Sequence, residues 1–226
     1  MKNMFILTLF MIVFSACAAK TPPQSPPTLT AVLPQAAVTS PAKMVSTNTA
    51  EPSPAQGTCD IEPVIAPTMP AVIPSYTALD ETTGLHMTGT VQEIKLDSYR
   101  LKVSGKVDRP LNLNYDDLRC LSKVTASPPL ICPGFFTDHA TWSGAPIKDV
   151  LDQAGVQAGA ETVVLVSADG FEVPIPLDSA LNPHNFLAYE WEGQPLPILH
   201  GFPVRAVFPS EAGGKWVKWL VEIVVE

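Results

Sequence analysis

Positive charge is scarce in this chain of 226 residues: 14 Lys and Arg stand against 22 Asp and Glu, a formal net charge of -8. Phosphate backbones are met with basic stripes, so the balance excludes nucleic acid as a partner. An anionic ligand has to be held by a local cluster of cations, not by the overall field. Long hydrophobic runs are missing too, since Met4 to Phe14 is too short to span a bilayer as a mature helix. Aromatic residues are absent between Thr21 and Ser75, a stretch that holds twelve of the 24 prolines and one glycine. Such a composition cannot bury enough apolar surface to offset its ordering entropy. Residues 18–75 are therefore expected to form a disordered, partly polyproline-like tether, on the order of 100 Å or more when stretched. Val64, Ile65, Val72 and Ile73 are apolar enough for its last part to dock on the domain. No internal repeat is found. What remains, 76–226, is long enough for one compact domain with a sizeable core.

Lys2 followed by the short apolar run marks 1–17 as a targeting segment. Ser15-Ala16-Cys17 resembles a bacterial lipoprotein cleavage box, which implies a lipid on Cys17 and a membrane partner through it. The protein is then extracytoplasmic, anchored to a bacterial membrane. Ala18 after the cysteine is similar to the pattern sent to the outer membrane. An ordinary secretory signal cleaved nearby is the alternative.

Order is expected from about Tyr76 and to be firm by Ser98. Tyr99, Leu101 and Val103 alternate as a strand, and Leu111, Leu113 and Tyr115 repeat the pattern. Asn114 or Asp116 can start a short helix through Leu118. Val124 to Cys132 reads as a strand interrupted by Pro128-Pro129. The clearest helix has Pro146 at its first position, Ile147, Val150, Leu151 and Ala154 on one face, and Gly155 as its stop. Val163–Val166 and Phe171–Ile175 form a hairpin through Asp169-Gly170. Leu181 closes another helical turn, and Leu187 to Trp191 is a strand turned by Glu192-Gly193. Strands dominate over short helices, which gives an α+β domain.

The most informative stretch is His200-Gly201-Phe202-Pro203-Val204-Arg205-Ala206-Val207-Phe208-Pro209, continued by Gly213-Gly214-Lys215-Trp216-Val217-Lys218-Trp219-Leu220. A strand, a glycine turn and fixed cations meet there, and with Val221 to Val225 they complete the sheet. Glycine-turn N–H groups beside His200, Arg205, Lys215 and Lys218 suit a phosphate or another compact anion. Four cysteines need sorting: Cys17, Cys59, Cys120 and Cys132. With Cys17 lipidated, an odd number remains and at least one thiol lacks an intramolecular partner. A disulfide between Cys59 and Cys120 would pin the tether to the domain, leaving Cys132 as the free thiol.

The His-Gly-x-Pro-x-Arg strand leading into Val-Lys-Trp-Leu resembles the signature of the sulfite oxidase family's molybdopterin-binding domain. Leu130-Ile131-Cys132-Pro133-Gly134 followed by Trp142-Ser143-Gly144, Asp169-Gly170-Phe171 and Leu187-Ala188-Tyr189 are similar to further segments of that family. The resemblance extends over roughly Tyr99 to Val224 and implies a strand-rich mixed domain with short helices. It also implies a molybdopterin cofactor whose metal is bound by the Cys132 thiolate, with His200 and Arg205 holding the pterin or its phosphate. Gly213, Gly214, Lys215 and Lys218 would finish that anion seat. A soft anionic sulfur suits an electron-accepting metal. Bland readings stand beside these: His200 capping a turn, Arg205 paired with an acidic neighbour such as Glu190, Cys132 buried or in a disulfide, and Trp216 and Trp219 in the core. His139, near Cys132, either faces a substrate pocket or lies on the surface.

The chain departs from the family in one telling place. Sulfite oxidases continue past their cysteine with Gly-Asn-Arg, whereas Gly134 is followed here by Phe135 and Phe136. Two phenyl rings where a cation is expected bind a doubly charged oxyanion poorly, because its desolvation goes uncompensated. Sulfite is then a poor substrate, and a less charged small molecule such as a sulfoxide suits the walls better. No haem-binding Cys-x-x-Cys-His occurs, so electrons would need an external electron-transfer partner. Residues 1–17 contain no arginine, whereas molybdenum proteins usually leave the cytoplasm folded by a twin-arginine route. The resemblance thus points to a tethered oxidoreductase domain performing oxygen-atom transfer. The second reading is a cofactor-free lipoprotein binding or interaction module that keeps the fold, and Cys132 in a disulfide would favour it.

Overall fold

The computed structural model describes residues 59–226. The targeting segment, the lipidation site Cys17 and the tether as far as residue 58 lie outside the described residues. Among the described residues no helix is long and apolar enough to cross a membrane.

Two five-stranded sheets organise the domain. In the first, β10 (Glu172–Pro176), β9 (Thr162–Ser167), β14 (Leu220–Val225), β3 (Leu101–Gly105) and β4 (Leu111–Leu113) lie in that order. β14 and β3 run parallel, and the other pairs are antiparallel. In the second, β12 (Gln194–Pro195), β11 (Phe186–Trp191), β8 (Trp142–Pro146) and β5 (Val124–Ala126) follow one another, with β13 (Arg205–Val207) also paired to β11. The hairpins β1 (Leu79–Asp80) with β2 (Leu85–His86), and β6 (Pro129–Cys132) with β7 (Phe136–His139), stand apart.

Alternation drives the first sheet: Leu101 and Val103 on β3, Val163 and Leu165 on β9, and Ile223 and Val225 on β14 are buried. Each such side chain contributes about 1.5–3 kcal/mol by leaving water. Helices are short. Asn114 caps α1 (Tyr115–Arg119) with a reciprocal pair of hydrogen bonds to Asp117. α2 (Ile147–Ala154) buries the four residues read on one face and ends at Gly155, whose φ is 71°. Pro146 is the cap residue instead of the first helical one. α3 spans Leu177–Ala180 and ends at Leu181. The architecture is the strand-rich α+β domain expected from the sequence.

Two expectations about connectivity change. Val124 to Cys132 is not one interrupted strand: β5 joins the second sheet while β6 pairs with β7. Proline removes the ladder donor at the Pro128-Pro129 break, so pairing does not continue through it. The stretch from His200 to Leu220 also does not complete a single sheet, since β13 lies in the second sheet and β14 in the first. The chain from 208 to 219 therefore crosses between sheets, and that crossing carries the glycine turn.

Cys59 is disulfide-bonded to Cys120, the residue capping the end of α1. Residues 59–75 contain no strand or helix. Arg119 Nη2 donates to the Glu62 carbonyl at 2.8 Å, and Val64 packs against the core. Ile65, Val72 and Ile73 stay exposed, so docking of this segment rests on Val64, Met69, the Arg119–Glu62 bond and the disulfide.

Candidate functional site

A cavity of about 310 Å³ opens where the β6–β7 hairpin, the β9–β10 tip and the crossing chain meet. That size lies at the lower end of ordinary small-molecule sites. Its lining includes Cys132, Arg205, Gly213, Gly214 and Lys218, which the sequence places far apart. Cys132 is free and partly accessible at the end of β6.

Gly213 explains how the turn reaches the thiol. It opens a 3-10 turn, Gly213–Lys215, and a Cβ there would lie 3.0 Å from Leu130 Cδ2 and 3.2 Å from the Ile131 carbonyl oxygen. A side chain there would make the turn or β6 give by a few tenths of an ångström, so glycine suits this close approach. Gly201 does the same for the cations. Its φ is 111°, and a Cβ would crowd Arg205 Cβ at 3.0 Å and Lys218 Cα at 3.2 Å.

Arg205 is 2% exposed. Its guanidinium sits 4.6 Å from the Trp142 ring centre and 5.7 Å from that of Trp216. One Nη donates to the His200 carbonyl at 3.1 Å, the other reaches the Trp216 carbonyl at 3.5 Å, and Nε is buried without a partner. Glu190, the acidic neighbour considered for it, pairs with Lys123 at 2.6 Å instead. Burial pushes Arg205 down to about 9, against the opposing charge of Asp138. Lys218 is also buried, and its Nζ donates to the carbonyls of Thr88 at 2.9 Å and Leu199 at 3.1 Å. Burial and then the charge of Arg205 hold it well below its usual value. Neither cation has a carboxylate in contact among the described residues. Asp138 attracts both cations and Asp169 attracts Lys218 from beyond contact distance, and an anion in the cavity would compensate these desolvated charges more directly.

His200 and Lys215 fall outside the lining. His200 is 1% exposed, and its Nε2 lies 3.0 Å from Asp80 Oδ2 and 2.9 Å from Thr83 Oγ1. A carboxylate only accepts, so Nε2 carries the proton. Burial and the Lys218 charge outweigh Asp80 and push the imidazole down to about 3. A neutral ring tied to Asp80 adds no positive charge to an anion seat; what His200 gives the site is the carbonyl that holds Arg205. It also ends a 3-10 turn before Gly201, the turn-capping alternative. Lys215 Nζ donates to the Pro174 carbonyl at 2.9 Å, securing the glycine turn to β10.

Other residues of the wall were not singled out from the sequence. Tyr76, Thr88, Gly89 and Thr90 come from the segment before β3. Asp169, at the tip of the β9–β10 hairpin, lines the cavity and accepts from Thr90 N at 3.0 Å and Phe171 N at 3.0 Å. Burial pushes it up, but its hydrogen bonds win and hold it below the usual carboxylate range. Trp216 and Trp219 belong to the core, yet each also carries a cation on its face. Phe136 lines the cavity while Phe135 is 72% exposed, so one phenyl ring forms the wall, not two. His139 is exposed.

No group of three or more His, Cys, Asp or Glu able to hold a metal occurs among the described residues. A metal here would rely on a single protein sulfur and take its remaining ligands from an organic group. The orphaned Arg205 Nε, the unpaired Lys218 and the open space above Gly214 fit a phosphate-bearing cofactor on the same wall.

The site thus offers one free thiol and two buried cations that no carboxylate touches, around a single cavity. The oxidoreductase molybdopterin binding domain family matches residues 88–226, and the chain belongs to it. It is 33% identical over 126 residues to the uncharacterized oxidoreductase YuiH of Bacillus subtilis, covering 55% of this chain and 64% of that one. It is 35% identical over 167 residues to human mitochondrial sulfite oxidase, covering 60% of this chain and 30% of the relative. The crystal structure of the sulfane dehydrogenase SoxCD from Paracoccus pantotrophus shares the fold with a TM-score of 0.59 at 21% identity, over 71% of this chain and 50% of that one. The chain thus spans less than two thirds of the length of each of these proteins.

Proposed function

We propose that the domain binds a molybdopterin cofactor and transfers an oxygen atom to or from a small, weakly charged substrate. The observation that carries this reading is a free Cys132 on the same cavity wall as Arg205 and Lys218. When bound, the cofactor supplies the two-electron redox chemistry and the oxygen exchange. Cys132 would hold the metal, Arg205 and Lys218 the cofactor's phosphate, and the Gly213-Gly214 turn would bring backbone N–H groups close to it. Phe136 would exclude water from the substrate side and leave a doubly charged oxyanion without compensation, which favours a sulfoxide-type substrate over sulfite. Electrons would come from an external electron-transfer protein. A lipid on Cys17 and a tether running to the Cys59–Cys120 bond would keep the domain near a bacterial membrane, outside the cytoplasm. The cofactor-free binding module loses its distinguishing sign, because Cys132 stands outside the Cys59–Cys120 disulfide.

The test is molybdenum and pterin content of the full chain exported by its native host, together with reduction of dimethyl sulfoxide and oxidation of sulfite. Near-stoichiometric metal and faster sulfoxide turnover are expected. Metal-free protein from the native envelope would end the reading.

A further inference from the structure

Phe136 is held from behind by His86 and Asp138, neither of which lines the cavity. Its ring lies flat on the His86 imidazole, with centroids 4.3 Å apart and planes 7° from parallel. His86 is fixed twice by Asp138: its backbone N–H donates to Oδ2 at 2.8 Å, and its Nδ1 donates to Oδ1 at 2.6 Å. Asp138 is 4% exposed and stands two residues beyond Phe136 on β7, on the same face of the strand. β7 thus supplies both the ring and the carboxylate, and β2 supplies an imidazole that engages both. Across the β6–β7 hairpin, Phe136 pairs directly with Cys132.

Packing alone does not call for this arrangement. The His86 side chain keeps 27% of its surface exposed, so it is no core filler, and burying a carboxylate to anchor it costs desolvation that an apolar pair would avoid. What the cost secures is one orientation of a ring that otherwise has several rotamers open to it. A Phe136 free to swing out would admit water beside Cys132, and water would resolvate the oxyanion that a fixed, dry wall penalises.

We propose that His86, anchored by Asp138, is a positioning residue that locks Phe136 beside Cys132 and thereby sets the discrimination between uncharged and charged oxygen-bearing substrates. This rests on the oxygen-atom-transfer reading of the cavity. The test uses the full chain with His86→Ala, which removes ring and Nδ1 while the backbone N–H bond to Asp138 survives, and His86→Phe, which keeps a stacking ring. NMR of selectively labelled phenylalanine reads the Phe136 ring without any need for cofactor. The kcat/KM ratio for dimethyl sulfoxide over sulfite reads the discrimination. His86→Ala should average the Phe136 ring signal and lower the ratio about tenfold, and His86→Phe should restore both. A folded His86→Ala protein whose Phe136 signal or substrate ratio matches wild type overturns the proposal. If wild type turns over neither substrate, the proposed function fails, and the ring signal alone decides the clamp: averaged in Ala and restored in Phe supports it, unchanged in Ala refutes it.

Discussion

Arg205→Met separates a cofactor-binding role from a structural one, because the two predict opposite effects. The methionine roughly fills the slot between Trp142 and Trp216, so no large cavity results, but the charge is gone. Losing it relieves the burial that pushes the guanidinium down from its ordinary value to about 9, a penalty on the order of 4–5 kcal/mol. Against this stand a cation–π contact of about 2 kcal/mol and two carbonyls, His200 and Trp216, left unsatisfied at about 1–3 kcal/mol each. The Trp216 bond is long at 3.5 Å, so its loss lies at the low end, the losses sum to about 4–6 kcal/mol, and the cofactor-free variant should keep its stability to within about 2 kcal/mol. Anion binding has no such compensation: loss of one desolvated charge-assisted contact, worth about 2–4 kcal/mol, weakens the cofactor roughly 30- to 1000-fold. Urea unfolding of the cofactor-free protein and pterin release from the loaded one measure the two effects. A variant that unfolds several kcal/mol more easily yet retains its pterin would show that Arg205 is a packing residue and refute the reasoning.

Three further outcomes follow from the same contacts. Acidification should destabilise the domain as pH falls from about 6.5 toward 3. His200 is held neutral with its value lowered to about 3, so the unfolded chain takes up a proton that the folded one refuses, costing on the order of 4–5 kcal/mol by the end of that window. His200→Gln should flatten this slope in pH-dependent unfolding, and an unchanged slope would contradict it. Cys59→Ser should cost about 2–4 kcal/mol, since the bond closes a loop with a sequence separation of 61; an unshifted denaturation midpoint would show that the segment before residue 76 does not support the domain. Gly213→Ala should push the turn away from Leu130 and Ile131 and weaken cofactor retention while the far sheet, followed by hydrogen exchange on β9 and β14, keeps its protection.

Local signals were legible where the cause was local. The Asn114 cap, the α2 face ending at Gly155, and the β9–β10 hairpin turned at Asp169-Gly170 follow from nearest-neighbour chemistry, and the structure has all three. The Cys59–Cys120 bond, at a sequence separation of 61, was legible from cysteine parity instead. The cavity was half legible: Cys132, Arg205, Gly213, Gly214 and Lys218 converge as expected. The surroundings of His200 were not legible, because the groups that fix its charge state, Asp80 and Thr83, lie about 120 residues earlier in a segment without a recognisable pattern. Phe135 and Phe136 read alike in sequence, and only the alternation of β7 with its hairpin turn sends one outward and the other to the wall. Asp138 and His86 carry no mutual signal at a separation of 52 residues.

The account stands or falls on the sulfur of Cys132. Molybdenum-edge X-ray absorption on natively exported protein, comparing wild type with Cys132→Ser, counts sulfur neighbours at the metal directly. The account predicts one fewer sulfur neighbour in the variant, or loss of the metal, with the fold intact. An identical sulfur shell in both proteins would contradict it.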